Sequence, residues 1–291
     1  MINRRDFCLG LASIPLISKA YAQEAIVAID CHAHIFTRDL LMTGDRRYAP
    51  GYDAPLSTYL AMLEANGMSN GVLVQPSFLG TDNSYLVQAL TANPKKLRGI
   101  AVVAPDISTE DLSTLSKASV VGIRLNLIGK PDPEFQAPIW QEHLRKIADL
   151  GWQVEVQAEA ARHPKLIPAL LGAGVPNVVI DHFGKPDPKL GVDDPGFQFL
   201  LSMGATGKVW VKLSGSYRLG PDGDRIAAAA APKLLDSFGV TRLVWGSDWP
   251  HTQFESVTNP ALMRSHLDQW IPDQTDRARV LHENPSRLFK F

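Results

Sequence analysis

Five residues set out the chemistry open to this chain. Asp30, His32 and His34 alternate along IDCHAHIF, Ile29 to Phe36. In an extended strand, residues two apart project to one face. A carboxylate and two imidazoles are therefore expected to point one way, with Cys31 packed behind them as a small hydrophobe. His182 in VVIDHFGKP and Asp248 in LVWGSDWPH each follow a β-branched run. A lone strand histidine is ordinarily a hydrogen-bonded core residue, and a lone aspartate after a strand is ordinarily a helix cap. Imidazoles and acids together at strand tips instead fit a site that holds a metal or polarises a carbonyl.

Those residues need a scaffold that brings distant segments together. Eight short strand-like runs recur: Ile26–Asp30, Gly71–Pro76, Arg98–Val103, Val121–Leu127, Trp152–Gln157, Asn177–Asp181, Val209–Ser214 and Leu243–Ser247. Helix-like segments separate them, and the Ala227–Ala231 run belongs to a helix rather than a linker. Alternating strands and helices give parallel βαβ units. Eight such units predict the α/β class, a single (β/α)8 TIM barrel with its active groups at the C-terminal strand ends. Two extra C-terminal helices are expected near Pro260–Trp270 and Gln274–Phe289.

Strands covered on both faces usually read as continuous apolar runs, but several here alternate. Val154 and Val156 alternate with Gln153, Glu155 and Gln157; Val209, Val211 and Leu213 with Lys212 and Ser214; Ile123 and Leu125 with Arg124 and Asn126. The apolar set must face the helices, so the polar set faces the barrel interior. Burying such groups unpaired would cost ~1–3 kcal/mol each, which a polar, ligand-filled pocket avoids. Lys212 is either a further ligand group or the internal partner of Glu155.

The chain has 291 residues and a formal net charge of −1. There is no basic stripe for nucleic acid. Residues 1–22 carry Arg4-Arg5, an apolar stretch from Phe7 to Ile17 and the small-x-small sequence Ala20-Tyr21-Ala22. They read as a cleavable twin-arginine-type export signal, with residues 23–291 as the barrel domain. The apolar stretch is too short to span a bilayer. The expected product is periplasmic, without a stable membrane anchor. Cys31 is then its one thiol, so no internal disulfide forms. The pattern assigns no oligomeric state.

DCHAHIF, VIDHFGKP, WGSDWPH and the closing ENPSRLF resemble the amidohydrolase-related branch of the amidohydrolase superfamily, over essentially all of residues 23–291. QPSFLGTDNSYL, GIAVV and GIRLNL are similar to its 2-pyrone-4,6-dicarboxylate lactonases and related lactone hydrolases. The resemblance implies that Asp248 takes a proton from water while His32, His34 and His182 polarise a lactone carbonyl. It implies no obligate cofactor. In metal-containing relatives the same four residues hold one divalent ion, so a Zn-dependent hydrolase or decarboxylase is the alternative. Glu155 is the inward-facing candidate for a bridging ligand. The implied partner is a small lactone or carboxylate. Arg124 and Arg218 match residues that grip substrate carboxylates. Lys130 stands where the lactonases carry an arginine, and Gln157 where they carry a tyrosine. Ser77, Tyr48 and Tyr52 are candidate hydrogen-bonding groups. A reading from another class is a periplasmic solute-binding protein without catalysis. His251 is read as a loop residue near the pocket, and His143, His163, His266 and His282 as packing or surface residues.

Overall fold

The computed structural model describes residues 28–291, and the expected export signal lies outside them. Eight parallel strands lie side by side in chain order. They are β1 (Ile29–Ala33), β2 (Asn70–Val74), β3 (Leu97–Ala101), β4 (Val120–Asn126), β5 (Gln153–Gln157), β6 (Val178–Ile180), β7 (Val209–Leu213) and β8 (Leu243–Trp245). The helices between them are α1 (Leu56–Ala65), α2 (Ser84–Ala92), α3 (Thr109–Lys117), α4 (Pro138–Asp149), α5 (His163–Gly172), α6 (Pro195–Ser202) and α7 (Gly223–Phe238). β1 and β8 close the ring. The Asp248 N–H donates to the His32 carbonyl at 2.8 Å, the His34 N–H to the Trp249 carbonyl at 2.8 Å, and Ala33 pairs with Trp249. This is the expected (β/α)8 barrel.

The alternation along β4, β5 and β7 sorts as expected. Ile123, Val154, Val156, Val209 and Val211 join the main core with residues of the outer helices. A second apolar cluster contains Val72, Val74, Val179, Trp210 and Val244 with Phe289. These strand residues have the opposite parity to the first set. They form the floor of the barrel interior, closed by the C-terminal helix. Lys212, Glu155 and Asp181, all fully buried, lie above this floor.

β1 departs from simple alternation. Its pairing steps from Asp30 opposite Gly71 to Ala33 opposite Leu73, three residues against two. The extra residue is a bulge, which shifts the phase of the strand. Cys31 therefore joins the interior floor with Ile29 and Phe289 rather than packing behind the strand. Asp30 faces the helix layer, where it accepts from the Tyr59 hydroxyl of α1 at 3.2 Å. The expectation that Asp30 shares a face with the histidines is corrected accordingly. His32 and His34 both remain inside.

After the barrel come α8 (Pro260–Trp270), α9 (Gln274–Ala278) and α10 (Asn284–Phe289). The second expected tail helix is interrupted by a π turn over Arg279–Glu283. Pro285, at the start of α10, has no N–H with which to continue an α-helical ladder. Among the described residues no helix is long and apolar enough to cross a membrane.

His143 of α4 and His163 of α5 are fully buried, and neither ring nitrogen of either has a hydrogen-bond partner. Burial pushes both down to about 4 from the usual 6.5. Both rings are neutral in the folded protein and protonate near 6.5 once unfolded, so the unfolded chain binds more protons below that pH. Stability should fall as pH drops from about 6.5 towards about 4, by at most ~1.4 kcal/mol per unit for each ring. Urea midpoints measured across this range test it. The slope should flatten in His143→Leu, and an unchanged slope contradicts the assignment.

Candidate active site

The strand tips gather the four expected groups. His32 lies in β1 and His34 just after it, His182 follows β6 and Asp248 follows β8. Asp248 Oδ1 lies 3.8 Å from His32 Nε2 and 3.7 Å from His34 Nε2. The His32 ring centre is 5.0 Å from that of His34 and 4.9 Å from that of His182. His182 and Asp248 have φ of 51° and 59°. Non-glycine residues hold such angles at ~1–3 kcal/mol each, and the surrounding structure must impose them. Two glycines make room for the cluster. A Cβ at Gly246 would stand 2.6 Å from the His32 Cβ. A Cβ at Gly215, which has φ of +56°, would stand 2.8 Å from His182 Nδ1 and 3.0 Å from Asp248 Oδ2.

The buried neighbours fix where protons sit. Burial drives all three imidazoles below their usual range, His182 to about 3, so each is neutral near pH 7. His34 Nδ1 lies 2.7 Å from the Val74 carbonyl. A carbonyl only accepts, so Nδ1 carries the proton and Nε2 turns a lone pair to Asp248. His32 is the reverse case. Its Nδ1 lies 3.1 Å from Lys212 Nζ. Burial opposes a charge on Lys212, but Asp181 and Glu155 outweigh it and hold the group as ammonium. An ammonium only donates, so His32 carries its proton on Nε2. Asp181 Oδ1 is 3.4 Å from the same Nδ1 but makes no hydrogen bond with it. His182 Nδ1 meets Ser214 Oγ at 2.9 Å.

Burial alone would raise the Asp248 carboxyl, but Arg218 foremost, then the histidines, hold it well below the usual carboxylate range. Its Oδ2 accepts from the Tyr217 hydroxyl at 2.7 Å and from Arg218 Nε. Its Oδ1 and His32 Nε2 are buried without partners. The free oxygen thus faces His34 Nε2 at 3.7 Å and His32 Nε2 at 3.8 Å.

A cavity of about 190 Å³ lies above this cluster. His34, His182 and Asp248 line it, whereas His32 is sealed one layer deeper. Of the expected substrate groups, Arg124, Arg218, Ser77, Tyr48 and Gln157 line it too. Arg124 donates to the Gln75 carbonyl at 2.8 Å and to Gln157 Oε1 at 3.3 Å, which aims its guanidinium inward. Lys130 does not line the cavity. It pairs with Asp45 at 3.4 Å on the exposed side of its loop. Tyr52 turns away to Glu255 at 2.7 Å. His251 is buried and outside the lining. Glu155 is held by Lys212 at 2.5 Å rather than poised to bridge two ions.

Sequence reasoning missed Arg47 and Lys185, which also line the cavity, and Tyr217, which holds the acid. Lys185 sits three residues after His182 at a φ of 47°, so its motif could have exposed it. Arg47 lies on a loop with no periodicity to read.

Two groups of side chains have the spacing of a metal site: His32, His34 and Asp248, and His32, Asp181 and His182. Zinc needs a lone pair from each nitrogen. His34 Nε2 offers one, but His32 Nε2 carries a proton while Lys212 stays charged. The His32, His34 and Asp248 group therefore does not fit a divalent ion without moving that proton.

The amidohydrolase family model matches residues 29–291. The chain is 30% identical over 276 residues to a 2-pyrone-4,6-dicarboxylate hydrolase of Comamonas testosteroni, covering 90% of each. It is 29% identical over 269 residues to a 4-sulfomuconolactone hydrolase of Hydrogenophaga intermedia, covering 89% of this chain and 88% of the other. A probable 2-pyrone-4,6-dicarboxylic acid hydrolase of Acinetobacter baumannii, solved with citric acid bound, superposes with a TM-score of 0.88 at 39% identity, covering 91% of this chain and 99% of the other.

Gly215→Ala should leave the barrel folded but force His182, Asp248 and Arg218 apart. A fall in turnover of at least ~10-fold with unchanged circular dichroism is expected. Wild-type turnover in a folded Gly215→Ala protein would show that this close approach is not needed.

Proposed function

This chain is an enzyme of the amidohydrolase family, and from that premise we propose that it hydrolyses a lactone bearing carboxylate or similar anionic groups. One observation carries the reading. The cavity is lined by four cationic side chains, Arg47, Arg124, Lys185 and Arg218, with Asp248 its sole carboxylate among the described residues. Like charges crowded in a recess are unfavourable until a ligand supplies the opposite sign. Lactone hydrolases among its relatives support the reaction type.

The proton positions suggest the steps. The nucleophile is a cavity water held by the two groups of the cluster that face it, the Asp248 carboxylate and His34, with a lone pair towards the substrate. Asp248 takes one proton as the oxygen attacks the ring carbonyl. With Ser214 donating to Nδ1, His182 turns an N–H towards the oxyanion. The carbonyl–oxygen ring bond breaks, and the proton on Asp248 passes to the departing ring oxygen, leaving a ring-opened acid. Arg218 is shared between Asp248 and the substrate anion. A carboxylate that draws it away restores basicity to Asp248. This route uses the chain's own residues without a metal. Residues 1–22 lead us to propose periplasmic export as well, which cell fractionation and the mass of the mature N-terminus would test.

Asp248→Asn should reduce kcat by ~10²–10⁴-fold with the fold intact. The panel is 2-pyrone-4,6-dicarboxylate, a sulfomuconolactone and neutral sugar lactones, each with chelator or added zinc. Hydrolysis of anionic lactones that survives chelation is expected. Strict zinc dependence would favour the metal-dependent hydrolase or decarboxylase, and tight binding without product a solute-binding protein.

A further inference from the structure

We propose that Arg47, rather than Lys130, supplies the outer cation of the substrate site and selects ligands with an anionic group at the cavity mouth, beyond those met by Arg124 and Arg218. This rests on reading the cavity as an anionic-lactone site and names what distinguishes its ligand.

The two basic residues sit side by side but are differently committed. The Lys130 ammonium is spent on Asp45 at 3.4 Å, with both side chains exposed and neither lining the cavity. Arg47 is two residues from Asp45 on the same loop, yet it lines the cavity. No ion pair or side-chain hydrogen bond engages it among the described residues. By holding Asp45, Lys130 keeps the nearest acid in sequence away from Arg47. The turn before Lys130 also seats the arginine. Gly129 has a φ of +71°, and a Cβ there would stand 3.4 Å from the Arg47 Cδ. The stem therefore lies across a bare glycine. On its other side the guanidinium carbon stands 5.9 Å from the centre of the Tyr48 ring.

Arg47 also belongs electrically to the deeper cations. The Lys185 ammonium is pushed below its ordinary range chiefly by burial, with Arg218 and Arg47 adding to the effect. A third guanidinium beside this group, with its local acid diverted, favours a ligand carrying several negative charges. Guanidinium geometry suits planar carboxylates, which accept two parallel hydrogen bonds. The ligand class is a small ring carrying at least two carboxylate or sulfonate groups, one of which projects to the mouth.

Calorimetric titration of the intact protein with citrate, glutarate and butyrate at fixed ionic strength tests the proposal without requiring turnover. Arg47→Met, an exposed change unlike any in the catalytic cluster, should weaken citrate about tenfold and butyrate less than about twofold. The double variant Asp45→Ala/Lys130→Met, which deletes the outer pair without changing net charge, should bind citrate like the wild type. Equal citrate affinity in Arg47→Met, an equal loss in the double variant, or no citrate binding by the wild type overturns it. Arg47-dependent citrate binding in a protein that opens no lactone of the panel would sink the proposed reaction and leave this inference standing. Unchanged kcat and KM for a dianionic lactone in Arg47→Met would do the opposite.

Discussion

The seam between β1 and β8 is the constraint on which the site depends, and a buried carboxylate holds it. Asp30 accepts from the Ser247 N–H at 2.8 Å, Ser247 Oγ at 2.6 Å, the His32 N–H at 3.2 Å and the Tyr59 hydroxyl at 3.2 Å. Ser247 Oγ in turn accepts from the Trp249 N–H at 3.0 Å. One acid thus ties the first strand, the first helix and the last strand tip together, and the flanking residues are His32 and Asp248. Burial pushes its carboxyl up to about 6 despite these donors. Without the seam, groups more than 200 residues apart in sequence would not come within 4 Å of one another.

Beneath the site, the barrel interior is layered by charge. Phe289 and its apolar neighbours close the floor, and Lys212 stands above them between Glu155 and Asp181. A single buried ammonium would be expensive; two carboxylates and an imidazole nitrogen share it. The same ammonium determines the tautomer of His32. The Val74 carbonyl determines the opposite tautomer of His34. Two histidines two residues apart therefore have different partners behind them, an ammonium for one and a backbone carbonyl for the other.

The upper wall is organised by a different economy of charge. Arg124 is buried and Arg218 partly buried, both directed by hydrogen bonds, whereas Arg47 is exposed and uncommitted. The inner cations are placed by strands and by a turn, and the outer one by a loop braced on a glycine. Reaction geometry thus depends on the rigid barrel. The outer cation sits on a loop, an element that can vary without disturbing that barrel.

Much of this was legible beforehand. Eight β-branched runs separated by helical segments are a period-based signal, and alternation in QVEVQ and VWVKL revealed which faces were interior. His32, His34, His182 and Asp248 could be named because strand tips of a closed parallel barrel must converge. Local pattern could not reveal the β1 bulge, since it arises from pairing with β2, so Asp30 and Cys31 were assigned to the wrong faces. Nor could it reveal that Lys130 turns out to Asp45 while Arg47 turns in, because loop side chains follow their nearest partners rather than a repeat. The sequence by itself determined the architecture and the residue types that meet at the strand tips, through periodicities that the backbone enforces. Only the tertiary structure decided proton positions and the charged rim, because both depend on contacts between atoms far apart along the chain.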